Sequence, residues 1–148
     1  MNVGDIVDDF ELPDETGEAR TLTALLAEGP VVLFFYPAAL TPGCTAEACH
    51  FRDLVAELAE VGAHPVGISA DPVEKQKEFA DKHAFGYPLL SDPSGEVRAR
   101  FGVKRGLALL PTRRQTFVIG TDRRVLAVIK SEVRMNTHAD KALAALRK

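Results

Sequence analysis

The alternation of apolar and polar positions along the chain predicts strands that alternate with helices. Val31 to Tyr36 is a continuous run of β-branched and aromatic residues, which is typical of a strand buried on both faces of a mainly parallel sheet. From Thr45 to Val61 apolar residues recur every three or four positions, which predicts a helix that ends at Gly62. His64 to Ser69 predicts a second strand, and Val73 to His83 predicts a second helix.

Shorter patterns complete the predicted fold. Two alternating segments around a turn with Pro and Gly predict an N-terminal β-hairpin, Asp9 to Leu12 and Ala19 to Leu22. Further along the chain, Leu89 to Ser91 predicts a strand and Val97 to Phe101 predicts one or two helical turns. Gln115 to Ile119 and Val125 to Ile129 predict an antiparallel hairpin, and Thr137 to Leu146 predicts a last helix. We therefore expect the α/β fold class, with a thioredoxin-like fold, a mixed central sheet flanked by helices and an N-terminal β-hairpin.

Composition narrows the class of protein. The 148 residues fit a single domain, residues 1–148, with its own hydrophobic core. A formal net charge of -3 gives no broad basic field for nucleic acid. The longest apolar stretch has six residues and cannot span a bilayer, and the N-terminal residues lack the basic flank and apolar run of a signal peptide. We predict a cytoplasmic protein that binds neither nucleic acid nor membranes.

The chain has two cysteines, Cys44 and Cys49, which are too few for a disulfide framework. We therefore expect them to have a chemical role rather than a structural one. They follow the predicted central strand, at the sheet edge where active sites of open α/β folds lie. Thr41 is expected as the N-cap of the next helix and Pro42 as its first residue, so Cys44 lies in the first turn. Unpaired backbone N–H groups and the helix dipole favour a thiolate there, which argues against two merely buried cysteines.

The spacing of Cys44 and Cys49 constrains their redox chemistry. On an intact helix, five residues separate the side chains by about 140° around the axis and about 7.5 Å along it. A disulfide between them requires the start of the helix to unwind. The absence of a C-x-x-C pair disfavours a thioredoxin-type dithiol carrier. A zinc site formed with His50 is also disfavoured, because only three candidate ligands are local.

These residues resemble the active-site motif of a known family. The pattern Pro37-x-x-x-Thr41-x-x-Cys44 is similar to the motif of the peroxiredoxins, and the longer run from Thr41 to Asp53 resembles the peroxiredoxin Q subgroup, also called bacterioferritin comigratory proteins. The resemblance extends over nearly the whole chain, as far as the segment Arg114 to Ile119.

The resemblance implies a thiol peroxidase without metal or prosthetic group, which reduces hydrogen peroxide and organic hydroperoxides to water and alcohols. Cys44 would be the peroxidatic cysteine that becomes a sulfenic acid. Thr41 would orient the peroxide, Pro37 would shield the thiolate from water, and Arg114 would stabilise the thiolate. Cys49 would be the resolving cysteine, giving a Cys44–Cys49 intramolecular disulfide that thioredoxin or a similar dithiol protein reduces.

Several assignments stay open at this point. Strand alternation separates Arg113 from Arg114, and the family spacing selects Arg114. Glu47 matches an acidic residue of the family but could equally stabilise the helix dipole, and no histidine is assigned a role. The apolar segment 38–40 departs from the family pattern and could alter peroxide preference. The apolar segment 103–112 is expected to pack over the site or to form a subunit contact.

Two other functions compete with the peroxidase. One is a general thiol-disulfide oxidoreductase that uses the same cysteines. The other is a peroxide sensor or chaperone-like partner protein, since unwinding of the helix start would expose apolar surface. The expected oligomeric state is a monomer or a weak homodimer.

Overall fold

The computed structural model describes residues 1–104 and 112–147. In these residues seven strands and six helices follow one another in the order β1 (Glu11–Pro13), β2 (Ala19–Thr21), α1 (Leu22–Leu26), β3 (Val31–Phe35), α2 (Pro42–Asp53), α3 (Val55–Glu60), β4 (His64–Ser69), α4 (Val73–His83), β5 (Leu89–Ser91), α5 (Glu96–Arg100), β6 (Gln115–Ile119), β7 (Val125–Lys130) and α6 (Met135–Leu146). The predicted α/β class is confirmed.

The central sheet is mixed, and its strand order is β5-β4-β3-β6-β7. Strand β3 lies in the middle, parallel to β4 and antiparallel to β6, with Leu33 opposite Val66 on one side and Phe117 on the other. A separate antiparallel pair, β1 with β2, forms the predicted N-terminal hairpin. Parallel and antiparallel pairing in one sheet, with helices around it, is the thioredoxin-like arrangement expected from the sequence.

Both faces of β3 are buried, which explains its uninterrupted apolar sequence. Leu33 and Phe35 belong to a core that includes residues of α1 and α5. Val32 and Phe34 point to the opposite face and pack in a second core with residues of α2, α3, α4 and α6. The second core contains Cys44, whose side chain is therefore packed among buried apolar residues.

One predicted helix is two helices in the structure. The segment Thr45 to Val61 was expected to be continuous, but α2 ends at Asp53 and α3 begins at Val55, with Leu54 at φ -103° and ψ 7°. The Leu54 amide still donates to carbonyls three and four residues earlier, so helical hydrogen bonding continues into the break. The three-to-four spacing of apolar residues therefore continues across the break, and periodicity alone could not reveal it.

A short helix, α1, was missed by the sequence analysis, which assigned Ala19 to Leu22 to a strand. The strand ends at Thr21, whose hydroxyl accepts a hydrogen bond from the Ala24 amide at 3.1 Å and caps α1. Threonine before Leu22, with Leu25 and Leu26 three and four residues later, is a helix-start signal that overrides the strand pattern here.

Two further predictions concern membranes and the segment 103–112. Within residues 1–104 and 112–147 no helix has the length and apolar character needed to cross a bilayer. Residues 105–111 lie outside the described residues, so the expectation that this segment packs over the site or forms a subunit contact stays a prediction. Its two ends meet in an antiparallel bridge between Lys104 and Thr112.

Candidate active site

Cys44 lies in the first turn of α2, directly after the turn that leaves the central strand β3. Its side chain is almost fully buried, with 1% of its surface exposed. Thr41 is the N-cap residue and Pro42 the first helical residue, as the sequence predicted. The Thr41 hydroxyl, however, does not cap the helix but donates to the Ala38 carbonyl at 2.7 Å. The helix-start location of the thiol is therefore confirmed, while the Thr41 side chain is oriented by its own turn.

Arg114 reaches the thiol from the neighbouring strand. It directly precedes β6, and its Nη2 lies 3.2 Å from the Cys44 Sγ. Arg113 is exposed, whereas Arg114 is buried on the same side as Thr116 and Val118, as strand alternation predicted. The structure therefore places Arg114, and not Arg113, beside the cysteine.

Glu47, left unassigned from the sequence, is fully buried one helical turn after Cys44. Its Oε1 accepts a hydrogen bond from the Arg114 Nη1 at 2.7 Å, and its Oε2 has no hydrogen-bond partner. Burial raises the pKa of Glu47 to about 8, although the Arg114 charge opposes this. Burial therefore favours the protonated form of the Glu47 carboxyl, and the Arg114 charge favours the carboxylate.

A single guanidinium thus faces two acidic groups, Cys44 and Glu47. Burial by itself would lower the pKa of Arg114, but the neighbouring Glu47 and Cys44 raise it, so Arg114 is always charged. Its backbone N–H donates to both carboxylate oxygens of Glu132 at 3.2 Å, which fixes the start of β6. The guanidinium thus bridges the Glu47 carboxyl and the Cys44 sulfur in one buried cluster.

His138 was missed by the sequence analysis and lies behind this cluster. It is fully buried in α6, with Nδ1 2.8 Å from the Thr116 hydroxyl and Nε2 2.8 Å from the Ser131 carbonyl. Its Nε2 is 3.6 Å from the Glu47 Oε2. Burial lowers the pKa of His138, so the ring is neutral and Nε2–H donates to Ser131. The sequence does offer one signal for its burial, because His138 lies four residues before Ala142 and therefore on the same apolar face of α6.

The turn between β3 and α2 carries Pro37, which is buried at the end of the strand. Ala39 is 3% exposed, and its N–H donates to the Asp71 Oδ2 at 2.7 Å. Leu40 has a positive φ of 68°, an unusual conformation for a residue with a side chain. The turn is therefore held in one irregular conformation beside the thiol, and the shielding role of Pro37 stays a prediction.

Cys49 lies in the same helix as Cys44, and both thiols are free. Cys49 is half-buried, and helix geometry places the two Cα atoms about 8.7 Å apart. This exceeds the separation of about 7 Å beyond which a disulfide cannot form. The middle of α2 is also tied to the core by the Tyr87 hydroxyl, which donates to the Ala48 carbonyl at 2.6 Å. A bond between the cysteines requires α2 to open, as the spacing predicted.

The alternative of a zinc site finds no support in the described parts of the chain. Among them, no three His, Cys, Asp or Glu side chains lie close enough together to hold a metal ion. His50, the third candidate ligand, is 2.7 Å from the Asp140 carboxylate through its Nε2.

Comparisons with known proteins agree with this arrangement. The model of the AhpC/TSA family matches residues 3–128. The crystal structure of peroxidoxin BcpB from Mycobacterium tuberculosis superposes with a TM-score of 0.96 at 66% identity, covering 99% of this chain and 97% of that one. A chloroplastic peroxiredoxin Q from Sedum lineare is 38% identical over 93% of this chain and 73% of its own length.

A third similar protein is the bacterioferritin comigratory protein of Xanthomonas campestris, whose structure was described in connection with alkyl peroxide reduction. It has a TM-score of 0.85 at 33% identity and covers 93% of this chain and 90% of its own. The family match over most of the chain and these similarities bear out the resemblance noted in the sequence. The chain therefore belongs to the AhpC/TSA family and is a peroxiredoxin of the peroxiredoxin Q and Bcp kind, a thiol-dependent peroxidase.

Proposed function

We propose that Cys44 is the peroxidatic cysteine and that the protein reduces hydrogen peroxide and organic hydroperoxides to water and alcohols. The observation that carries this proposal is the 3.2 Å contact between the Arg114 guanidinium and the Cys44 Sγ in a buried helix start. The guanidinium places a positive charge at hydrogen-bond distance from the sulfur atom, and the thiolate is the nucleophile of cysteine chemistry. The same guanidinium then lies beside the oxygen atoms of an incoming peroxide.

In the first step, the Cys44 thiolate attacks the terminal oxygen of ROOH. The S–O bond forms as the O–O bond breaks, so the thiolate is oxidised to a sulfenate. The proton of the hydroperoxide passes to the departing RO oxygen, which leaves as ROH. One proton from the site or from solvent then gives the sulfenic acid. Arg114 stabilises the negative charge that develops on the leaving oxygen, and Pro37 limits access of water.

Thr41 is proposed to orient the peroxide. Its hydroxyl hydrogen is directed to the Ala38 carbonyl, so the lone pairs of its oxygen are free to accept a hydrogen bond from a peroxide O–H. This fixes the direction of the O–O bond relative to the Cys44 sulfur, which is the alignment that a displacement at oxygen requires.

In the second step, Cys49 is proposed to attack the sulfenic sulfur of Cys44, which forms the disulfide and releases water. The distance between the two residues means that α2 must open before the sulfur atoms meet. A dithiol protein of the thioredoxin type then attacks the disulfide and returns both cysteines to the thiol form. Opening of α2 moves the Cys44–Cys49 bond toward the surface, where a protein reductant can reach it.

The test is peroxide consumption by the purified protein in the presence of thioredoxin, thioredoxin reductase and NADPH. Cys44→Ser should abolish turnover, while Cys49→Ser should leave the first oxidation intact and accumulate sulfenic acid, detected by mass spectrometry. Turnover by Cys44→Ser would refute the assignment of the nucleophile. Wild-type turnover by Cys49→Ser would remove Cys49 from the cycle without affecting Cys44.

The same assay separates the enzyme from a peroxide sensor or chaperone-like protein. An enzyme consumes many equivalents of peroxide per chain when the dithiol is supplied, whereas a sensor that lacks a reductant consumes one. We further propose that the protein acts in the cytoplasm. We also propose that it is a monomer or weak homodimer, and sedimentation analysis of the reduced and oxidised forms would test this oligomeric state.

A further inference from the structure

The turn that carries Thr41 is held by a residue from another part of the chain. Asp71 lies between β4 and α4, and its Oδ2 accepts a hydrogen bond from the Ala39 N–H at 2.7 Å. Ala39 is almost fully buried, and the next residue, Leu40, has a φ of 68°. A buried turn with such a backbone persists only where its surroundings hold it in place.

The Ala38–Ala39 peptide group connects Asp71 to Thr41. Its N–H belongs to Ala39 and donates to Asp71, while its C=O belongs to Ala38 and accepts from the Thr41 hydroxyl at 2.7 Å. Because the peptide group is planar, the orientation of its N–H fixes the orientation of its C=O. A carboxylate on the N–H side also polarises the peptide and makes its oxygen a stronger acceptor.

Asp71 is itself held by a buried polar network. Its Oδ2 accepts a second hydrogen bond, from the Ser69 hydroxyl, at 2.7 Å. The Ser69 oxygen accepts from the Gln76 Nε2 at 3.0 Å, and the same Nε2 donates to the Leu90 carbonyl at 2.7 Å. Gln76 and Ser69 are fully buried. The carboxylate is therefore fixed to β4, β5 and α4, and its position does not depend on the turn that it holds.

We propose that Asp71 is a positioning residue for peroxide reduction, which acts through the Ala38–Ala39 peptide to fix the hydroxyl of Thr41. This rests on the proposed role of Thr41. With Asp71 in place, the Thr41 hydrogen is committed to the Ala38 carbonyl, and the oxygen faces the peroxide as an acceptor. Without Asp71, the peptide can rotate and the hydroxyl loses its fixed direction, although the Cys44 thiolate and Arg114 are untouched.

The test is a double-mutant cycle with two chemical probes of Cys44. Oxidation by peroxide depends on Thr41, whereas alkylation by iodoacetamide reports the reactivity of the thiolate without a peroxide to orient. Both second-order rate constants are measured by rapid quenching and mass spectrometry for Asp71→Ala, Thr41→Val and the double variant. Asp81→Ala, an exposed aspartate of α4 paired with Lys77, is the matched control.

Asp71→Ala should slow oxidation about 10-fold, the effect of losing one hydrogen bond to a charged group, and change alkylation less than twofold. The double variant should be no slower in oxidation than Thr41→Val, because Asp71 acts through that hydroxyl. Asp71→Asn keeps an acceptor oxygen without the charge and should lie between wild type and Asp71→Ala. Asp81→Ala should match the wild type with both probes.

Multiplicative effects of Asp71→Ala and Thr41→Val on oxidation would overturn the proposal, as would an equal loss in oxidation and alkylation. If Asp71→Ala does not fold, Asp71→Asn in the wild-type and Thr41→Val backgrounds decides by the same comparison. Wild-type oxidation by Thr41→Val alone would refute the proposed role of Thr41 itself, and with it this inference. A slow Thr41→Val combined with an unaffected Asp71→Ala refutes the inference alone.

Discussion

Replacement of Glu47 by Gln should change how the stability of the protein depends on pH. The folded pKa of Glu47 is about 8, whereas an ordinary glutamate titrates near 4.5. Between these values the folded state keeps a proton that the unfolded state has released. The contribution of Glu47 to stability is therefore fully present below about pH 4.5 and is lost as the pH rises through 8.

The magnitude follows from the same two values. Each pH unit in this window lowers the free energy of unfolding by about 1.4 kcal/mol, so the whole window amounts to about 5 kcal/mol. Gln resembles the protonated form of Glu47 in shape and can still accept from Arg114, but it does not ionise. The variant should match the wild type near pH 5 and become more stable than it at pH 9 by several kcal/mol.

The assay is urea unfolding of the reduced proteins at several pH values between 5 and 9. Glu78→Gln is the control, because Glu78 is an exposed glutamate of α4. It should keep the slope of the wild type with pH. Parallel curves for wild type and Glu47→Gln would show that Glu47 is ionised throughout this range, and that burial does not outweigh the Arg114 charge at this carboxyl.

Other perturbations test single contacts. Arg114→Met should slow the oxidation of Cys44 by about 100-fold, whereas Arg113→Met should leave it unchanged. The reverse order of the two rates in quenched-flow oxidation would mean that the wrong arginine was chosen. Tyr87→Phe removes the hydrogen bond to the Ala48 carbonyl, which stabilises α2 by about 1 kcal/mol, and should speed disulfide formation about fivefold. The rate is measured by mass spectrometry of trapped thiols, and an unchanged rate would mean that α2 does not open at this point. His138→Leu leaves the Thr116 hydroxyl and the Ser131 carbonyl without their hydrogen-bond partner. The free energy of unfolding in urea should fall by about 2–4 kcal/mol, and a loss below about 1 kcal/mol would contradict the buried hydrogen-bond network.

Segments with one dominant pattern of apolar residues could be predicted from the sequence with their bounds. The strand His64–Ser69, the helix Val73–His83 and the strand Gln115–Ile119 were predicted as observed. In each, local residue preference and burial favour the same structure. The helix break at Leu54 and the short helix α1 could not be recognised so well, because a few residues of changed conformation leave the apolar spacing almost intact.

The site was predictable as far as its residues are neighbours in sequence. The helix start, with Thr41 and Cys44, has a local signature, and strand alternation separated Arg114 from Arg113. The partners that tune the site come from distant elements. Glu47 from α2 meets His138 from α6, and Asp71 holds a turn more than thirty residues earlier, so only the tertiary fold reveals these pairs.

In the proposed catalytic cycle α2 has to open, whereas α3, which begins after the break at Leu54, can stay folded. Opening of α2 during the catalytic cycle need not disturb α3, whose Leu58 is fully buried against the second core. The two helices can thus behave as separate cooperative units with different local stabilities. Substitutions that lengthen or rigidify α2 would then raise thermal stability while slowing turnover, so selection for heat resistance and selection for peroxide removal oppose each other in this one helix.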